Sequence, residues 1–236
     1  MGIFFLFTHP AFAQTLNLNM GEKGGTTASQ VIQLVALITI LSLAPSILMM
    51  VTSFVRIIVS LSLLRTALGM QQTPPNMVLI SLALFLTFFI MAPTFQKAYQ
   101  EGIQPLMENK IDEKAAFTKI VTPFQDFMLR NTRDRDLRLF ADIAKLPENV
   151  KPDALPLHVL IPSFMISELR RAFEIGFLLF LPFLIIDMVV ASILMAMGMM
   201  MLPPSVVSLP FKIIFFVLVD GWYLVVGSLV KSYGLG

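Results

Sequence analysis

The sequence predicts an all-α, membrane-associated chain: apolar helical hairpins, with a small helical polar domain inserted between two apolar halves. Three observations predict it. Of the 236 residues 56% are hydrophobic and only 14% charged, which is past the balance of a soluble domain. The charge is segregated: residues 97–171 carry 12 Lys/Arg and 11 Asp/Glu, and the other 161 residues carry five basic and four acidic side chains. Apolar stretches of roughly 20 residues, the length that crosses a bilayer, lie on both sides of that polar region.

Composition also narrows function. A formal net charge of +2 offers no footing for nucleic acid. The absence of cysteine excludes disulfides, thiol catalysis and cysteine-ligated metal. His9 and His158 are the only histidines, too few for a histidine metal site. There is no phosphate loop and no Ser/His/Asp set, so neither an enzyme nor a cofactor is expected.

Taken in order, residues 1–14, MGIFFLFTHPAFAQ, end an apolar run in Ala11-Phe12-Ala13, an A-x-A pattern that predicts a signal peptide over 1–13. Residues 14–29 are polar and read as a flexible tail. The first apolar half, 30–96, reads as a hairpin. Val31–Val51 is long enough to span, with Pro45 as a kink point. Gly69 ends a helix and Pro74-Pro75 blocks its continuation, so GMQQTPPN at 69–76 is a turn. Met77–Phe95 is the next spanning block and stops at Ala92-Pro93.

Residues 97–160 form the polar helical domain. Phe117, Ile120, Val121 and Phe124 recur at helical spacing, and Thr122-Pro123-Phe124-Gln125 predicts a helix restart with Thr122 as cap. In RNTRDRDLRLFADIAKL, Leu137, Phe140, Ala141 and Ala144 share a face, and Asp134–Arg138 and Arg138–Asp142 are i,i+4 pairs. That charge run reads as a solvated helix, or as a subunit contact through Arg133 or Arg138. LPENVKPDALP is a proline-punctuated loop. The second apolar half, 161–236, opens on a helix capped by Ser163 or Ser167 and has spanning blocks Ile175–Met197 and Phe211–Val230. Between them LMAMGMMMLPP, 194–204, puts five methionines in seven positions before Pro203-Pro204.

LGMQQTPPNMVL and MGMMMLPPSVVS share Gly-Met, two or three residues, then Pro-Pro, which suggests two similar hairpins. With a cleaved signal, four crossings place 66–76 and 198–204 inside and 97–160 outside. Arg56 and Arg65 obey the positive-inside rule; Arg170 and Arg171 do not, but a long loop is largely exempt.

Charges in apolar helices should face protein or water, since each costs roughly 2.5–3.5 kcal/mol at mid-bilayer. Asp187 is 16 residues before Pro203 and Asp220 is 17 after it, so both fall about 25 Å from the turn. Lys212 falls about 11 Å nearer the turn. On this count Asp187 and Lys212 do not meet within one hairpin, and the expectation is a contact between staggered subunits. Two aspartates at one depth also fit a proton-coupled small-solute transporter. The intramembrane protease reading lacks a Gly-x-Gly-Asp element.

The blocks LAPSILMMVTSFVRIIVSLSLLRTALGMQQTPPNMVL, FLTFFIMAPTF, LIPSFMISELRRAFEIGFLLFLPFLIIDMVVASILMAMGMMMLPP and LPFKIIFFVLVDGWYLVVGSL resemble the FliP family. That family is the P component of the bacterial flagellar type III protein export gate, related to injectisome R-type export components. The resemblance covers nearly the whole chain after residue 30. It implies a structural subunit of a pentameric core that joins the Q and R components, other export proteins such as the A and B gate proteins, and membrane lipid. It implies a closed helical pore for unfolded flagellar proteins at the bacterial inner membrane. The assembly is implied to be a cone of tilted hairpins raised toward the periplasm. The family's methionine-rich gasket maps onto Met199, Met200 and Met201, and its inter-subunit charges onto Arg133, Glu168, Asp187 and Lys212. On spacing alone such a cluster reads as filler at a helix end. Methionine is also pliable enough to conform to irregular partners, and Gly198, Pro203 and Pro204 are suited to holding a loop out of helix.

Overall fold

The computed structural model describes residues 27–147, 155–199 and 201–234. The signal peptide expected over 1–13, most of the 14–29 tail and Met200 lie outside the described residues. All regular elements among those described are helices, as expected for an all-α chain: α1 (Thr27–Met50), α2 (Phe54–Ala67), α3 (Asn76–Ala98), α4 (Gln104–Met107), α5 (Glu113–Asn131), α6 (Asp134–Ile143), α7 (Leu157–Ala196), α8 (Pro204–Leu218) and α9 (Gly221–Lys231).

The chain divides into two units, residues 1–43 and 44–236. The first contributes the opening of α1, where Ile32, Ile38 and Leu41 are exposed. In the second, α2 is central. Its Ile57, Leu61 and Leu64 recur every three or four residues and are buried, the stripe a helix turns to a core. Each fully buried leucine contributes roughly 1.5–3 kcal/mol. α2 packs chiefly on α7, and the two run parallel: Arg56 meets Glu168, and seven residues on Leu63 meets Gly176. A Cβ at Gly176 would stand 2.2 Å from Leu63 Cδ1, so a larger residue there would have to push Leu63 aside.

Both hairpin turns begin with the same kind of cap. α2 ends at Gly69, φ +78°; its N–H donates to the Thr66 carbonyl (3.0 Å) and Met70 N–H to the Arg65 carbonyl (3.2 Å). α7 ends at Gly198, φ +73°; its N–H donates to the Met195 carbonyl (3.1 Å) and Met199 N–H to the Leu194 carbonyl (2.9 Å). Each is a Schellman cap, with glycine in the left-handed position it alone tolerates cheaply. Each Pro-Pro pair begins five residues after its glycine and leads into the next helix, where the missing N–H is no loss.

Several expected boundaries move. The first apolar block breaks at residues 51–53 between α1 and α2. α3 continues past Pro93, and a π-helical turn, Tyr99–Ile103, joins it to α4. α5 runs through Pro123, and Thr122 does not cap it: its hydroxyl donates to the Thr118 carbonyl (2.8 Å). The α5 cap is Asp112, which accepts from Ala115 N–H (3.2 Å). α7 is one helix of 40 residues containing Pro162 and Pro182, so Ser163 and Ser167 are interior rather than capping. A helical proline forfeits one backbone bond, and here tertiary packing outweighs it: Leu160, Phe164 and Phe183 beside those prolines are buried. The last apolar block bends by 65° between α8 and α9.

Two helical runs, Asn76–Met107 and Leu157–Ala196, are long and apolar enough to cross a membrane, or up to four spans if the bent pairs each count as one. α7 is about 60 Å long, twice a hydrocarbon core of about 30 Å. Its early part carries an exposed polar cluster, with Arg170 Nε 2.9 Å and Arg171 Nη1 3.2 Å from Glu174. The apolar run begins at Ile175.

Candidate functional site

The methionine loop lies between α7 and α8. Backbone bonds hold its start at Gly198 and Met199, and Leu202 N–H reaches the Met199 carbonyl at 3.4 Å. Met199 lines an apolar groove of about 690 Å³ with Leu194, Met197, Leu202, Val207 and Phe211. Met201 is 99% exposed. No side-chain hydrogen bond from residues 197–204 occurs among the described residues. Pro203 and Pro204 open α8. The described part of the loop thus has its backbone tied at Gly198, Met199 and Leu202, with the Met199 side chain in a groove and Met201 projecting.

Behind it lie three polar ties, all made through α7. In the first, Asp187 accepts from Lys212 Nζ (2.6 Å) and from Ser208 Oγ (2.5 Å), and Lys212 Nζ also donates to the Ala67 carbonyl (3.2 Å). Lys212 is buried, and it sits at the carbonyl end of α2, where a cation is favoured by the helix dipole. This pair forms inside one chain, contrary to the expected contact between staggered subunits. The reason is the length of the loop. Asp187 lies nine residues before the end of α7 and Lys212 eight after the start of α8, so counting from the helix ends puts them level.

In the second tie, Arg56 Nε donates to Glu168 Oε2 at 3.0 Å, and Nη2 donates to Oε1. Both side chains are fully enclosed. Arg56 Nη1 donates to the Ser232 carbonyl (3.1 Å) and Ser232 Oγ (3.0 Å), and Tyr233 Oη donates to Glu168 Oε2 (2.5 Å). The guanidinium carbon lies 3.8 Å from the centre of the Tyr233 ring, whose plane stacks with Phe127. An ion pair taken out of water holds only when its remaining donors and acceptors are satisfied, and here Ser232 and Tyr233 satisfy them.

In the third tie, Arg133 Nε and Nη2 hold Asp136 at 2.9 and 2.7 Å. Ser167 Oγ accepts from Arg133 N–H (3.1 Å) and donates to Asp136 Oδ2 (2.6 Å). Burial opposes ionisation of Asp136, but the Ser167 hydroxyl and the Arg133 guanidinium outweigh it, and its carboxyl sits below the usual range. No Asp134–Arg138 or Arg138–Asp142 ion pair forms among the described residues; the helix is tied through Asp136 instead.

Asp220 stands apart. It precedes α9 in the left-handed region, φ 51°, with no side-chain cap bond, and is exposed. It lies 16 residues into the α8–α9 arm and Asp187 nine from the end of α7. The expected common depth of the two aspartates is therefore not found, and Asp187 is occupied by Lys212 and Ser208.

Arg133, Glu168, Asp187 and Lys212 thus all have partners within the chain. Sequence reading missed Arg56, Tyr233 and Ser208 as members of these ties. One signal was available: Arg56 is the only charge in its apolar block, and a lone cation there calls for a carboxylate.

The FliP family model matches residues 37–229. The flagellar biosynthetic protein FliP of Caulobacter vibrioides is 59% identical over 227 residues, covering 96% of this chain and 85% of the relative. That of Bacillus subtilis is 56% identical, covering 87% of this chain and 93% of the relative, and that of Agrobacterium fabrum is 55% identical, covering 89% and 86%. With most of its length matched at such identity, and with both turns and the charged residues Arg56, Arg133, Asp136, Glu168, Asp187 and Lys212 inside the matched region, the chain belongs to the FliP family.

Proposed function

We propose that the chain is a structural, non-enzymatic subunit of the flagellar export gate. Copies of it, as a pentamer, assemble with the Q and R components into a pore for unfolded flagellar proteins in the bacterial inner membrane, raised toward the periplasm. The A and B gate proteins are further partners. Met199, Met200 and Met201 seal the pore at rest.

One observation carries the reading: the α7–α8 turn is capped at Gly198 and projects Met201, which is almost wholly exposed. Such side chains can meet their counterparts on an axis, exclude water and ions, and still yield to a passing chain. Irregular backbone is tolerated at membrane depth where it lines a cavity. The apolar surface left by one chain supports assembly as well. Phe85, Phe88 and Phe89 of α3, and Phe177 and Met188 of α7, are exposed, beyond what a monomer in water carries. A solute transporter finds no support, because Asp187 is engaged with Lys212 and Asp220 lies away from it.

The test is ion leak across membranes holding the assembled complex with Met199, Met200 and Met201 replaced by alanine. The expected result is a higher leak from a complex that still co-purifies intact. An unchanged leak from an intact complex places the seal elsewhere.

A further inference from the structure

We infer that the methionine loop is an oxidation site, and that converting its thioethers to sulfoxides opens the resting seal. The inference rests on the seal reading above and adds a chemistry to it. Met201 is 99% exposed, Met197 64% and Met199 45%, so three methionines of one short turn are open to an oxidant. Met91 and Met128, deep in the core, are enclosed and serve as internal references.

The oxidant is hydrogen peroxide. A sulfur lone pair attacks the peroxide, the O–O bond breaks, and one oxygen is transferred to form S=O. Sulfur is oxidised by two electrons and the peroxide is reduced to water, with no other co-reactant. The product is polar, chiral and stiffer, a change that disrupts apolar packing and is reversible by methionine sulfoxide reductases.

The geometry gives that change a consequence. Met197 and Met199 lie in the α7–α8 groove against Ile193, Leu194, Val207 and Phe211, where a sulfoxide oxygen finds no donor. A sulfoxide oxygen gains from hydration and not from apolar contact, so oxidised side chains turn from the groove toward water and loosen the loop. Met201, which projects, becomes a hydrated dipole where an apolar contact is needed to keep water out.

The equivalent turn supplies a matched control. Met77 stands just after the Pro-Pro pair of the α2–α3 turn, is 74% exposed and lies outside the α7–α8 groove. The experiment uses the full assembled complex in vesicles, treated with hydrogen peroxide. Oxidation at each methionine is read by mass spectrometry of peptides, and ion leak is read in parallel. The expected result is sulfoxide at Met197, Met199 and Met201, a several-fold rise in leak, and reversal by the reductases. Measured against its own untreated leak, a variant carrying Met197→Leu, Met199→Leu and Met201→Leu should show no rise with peroxide although Met77 is still oxidised.

The inference is overturned if the three loop methionines stay unmodified while Met77 is oxidised, or if they are oxidised and the leak does not change. The alanine variant separates the two failures. A leaky alanine variant beside a silent oxidised wild type removes only the oxidation step, whereas silence in both removes the seal as well.

Discussion

The α2–α3 turn and the α7–α8 turn share a glycine cap and a Pro-Pro exit and differ in what lies between. Each has a left-handed glycine, a Schellman pair of bonds and a Pro-Pro exit at the same spacing. In the first, the residues between are Gln71, Gln72 and Thr73, and the turn is tied down. Arg65 Nη1 donates to Asn76 Oδ1 (2.5 Å) and to the Pro74 carbonyl (3.3 Å). In the second, the intervening residues are Met200, Met201 and Leu202, and Arg65 has its positional counterpart in Leu194, which bonds to nothing through its side chain. The first methionine of each turn has a common role: Met70 packs against the core and Met199 lines the groove, the hydrophobic contact that accompanies a Schellman cap. The difference teaches that the frame is generic and that sealing resides in the side chains beyond it.

The hardest way to break this comparison is to exchange the fillings. Met200→Gln, Met201→Gln and Leu202→Thr together put the polar filling into the second frame. The complex is expected to fold and assemble as before, because the caps and prolines are untouched, yet to lose its resting seal. Ion leak and co-purification check this in one preparation. If the leak stays low, the frame and not the filling makes the seal.

A smaller effect is expected where the two turns are joined. Lys212 bridges the Ala67 carbonyl, at the end of α2, to Asp187 on α7. Replacing it by Met keeps most of the apolar stem but strands Asp187. Removing one partner of a fully buried pair costs about 3–5 kcal/mol. The side chain of Asp187 is 35% exposed, so about 2 kcal/mol is expected at this site, read as a lowered unfolding midpoint in detergent. Changing Asp187 to Asn at the same time should restore part of the loss, since the stranded charge is then gone.

The turns were the most legible part of the chain, and for a local reason. Gly-Met followed by Pro-Pro states its backbone demands within a few residues, and no tertiary contact is needed to read them. The all-α class was legible for the same reason, from apolar runs of spanning length. Helix ends at Pro93, Pro123, Pro162 and Pro182 were not, because distant packing decides whether a helix survives one missing bond. Nor was the level of Asp187 and Lys212. Counting from Pro203 ignores that the loop takes up seven residues, Met197–Pro203, between α7 and α8, and the error is enough to separate two side chains that in fact touch. Arg56 and Glu168 are 112 residues apart in sequence, and only the parallel packing of α2 on α7 brings them together.

The finest test uses the two glycines. Both lie at positive φ, where any other L-residue incurs about 1–2 kcal/mol. A Cβ on Gly69 would meet Leu209 Cδ1 at 3.4 Å, an ordinary contact, and a Cβ on Gly198 would meet nothing within 4 Å. Neither position adds a steric clash, so Gly69→Ala and Gly198→Ala should destabilise almost equally, by about 1 kcal/mol each, measured as paired unfolding midpoints. Equal losses mean equal frames. The leak should then divide what the midpoints do not: Gly198→Ala disturbs the backbone from which Met199 and Met201 project and raises it, while Gly69→Ala leaves it unchanged. A Gly198 variant with no loss of stability means that the second turn does not hold a left-handed cap, and the likeness between the two turns then ends at their sequence.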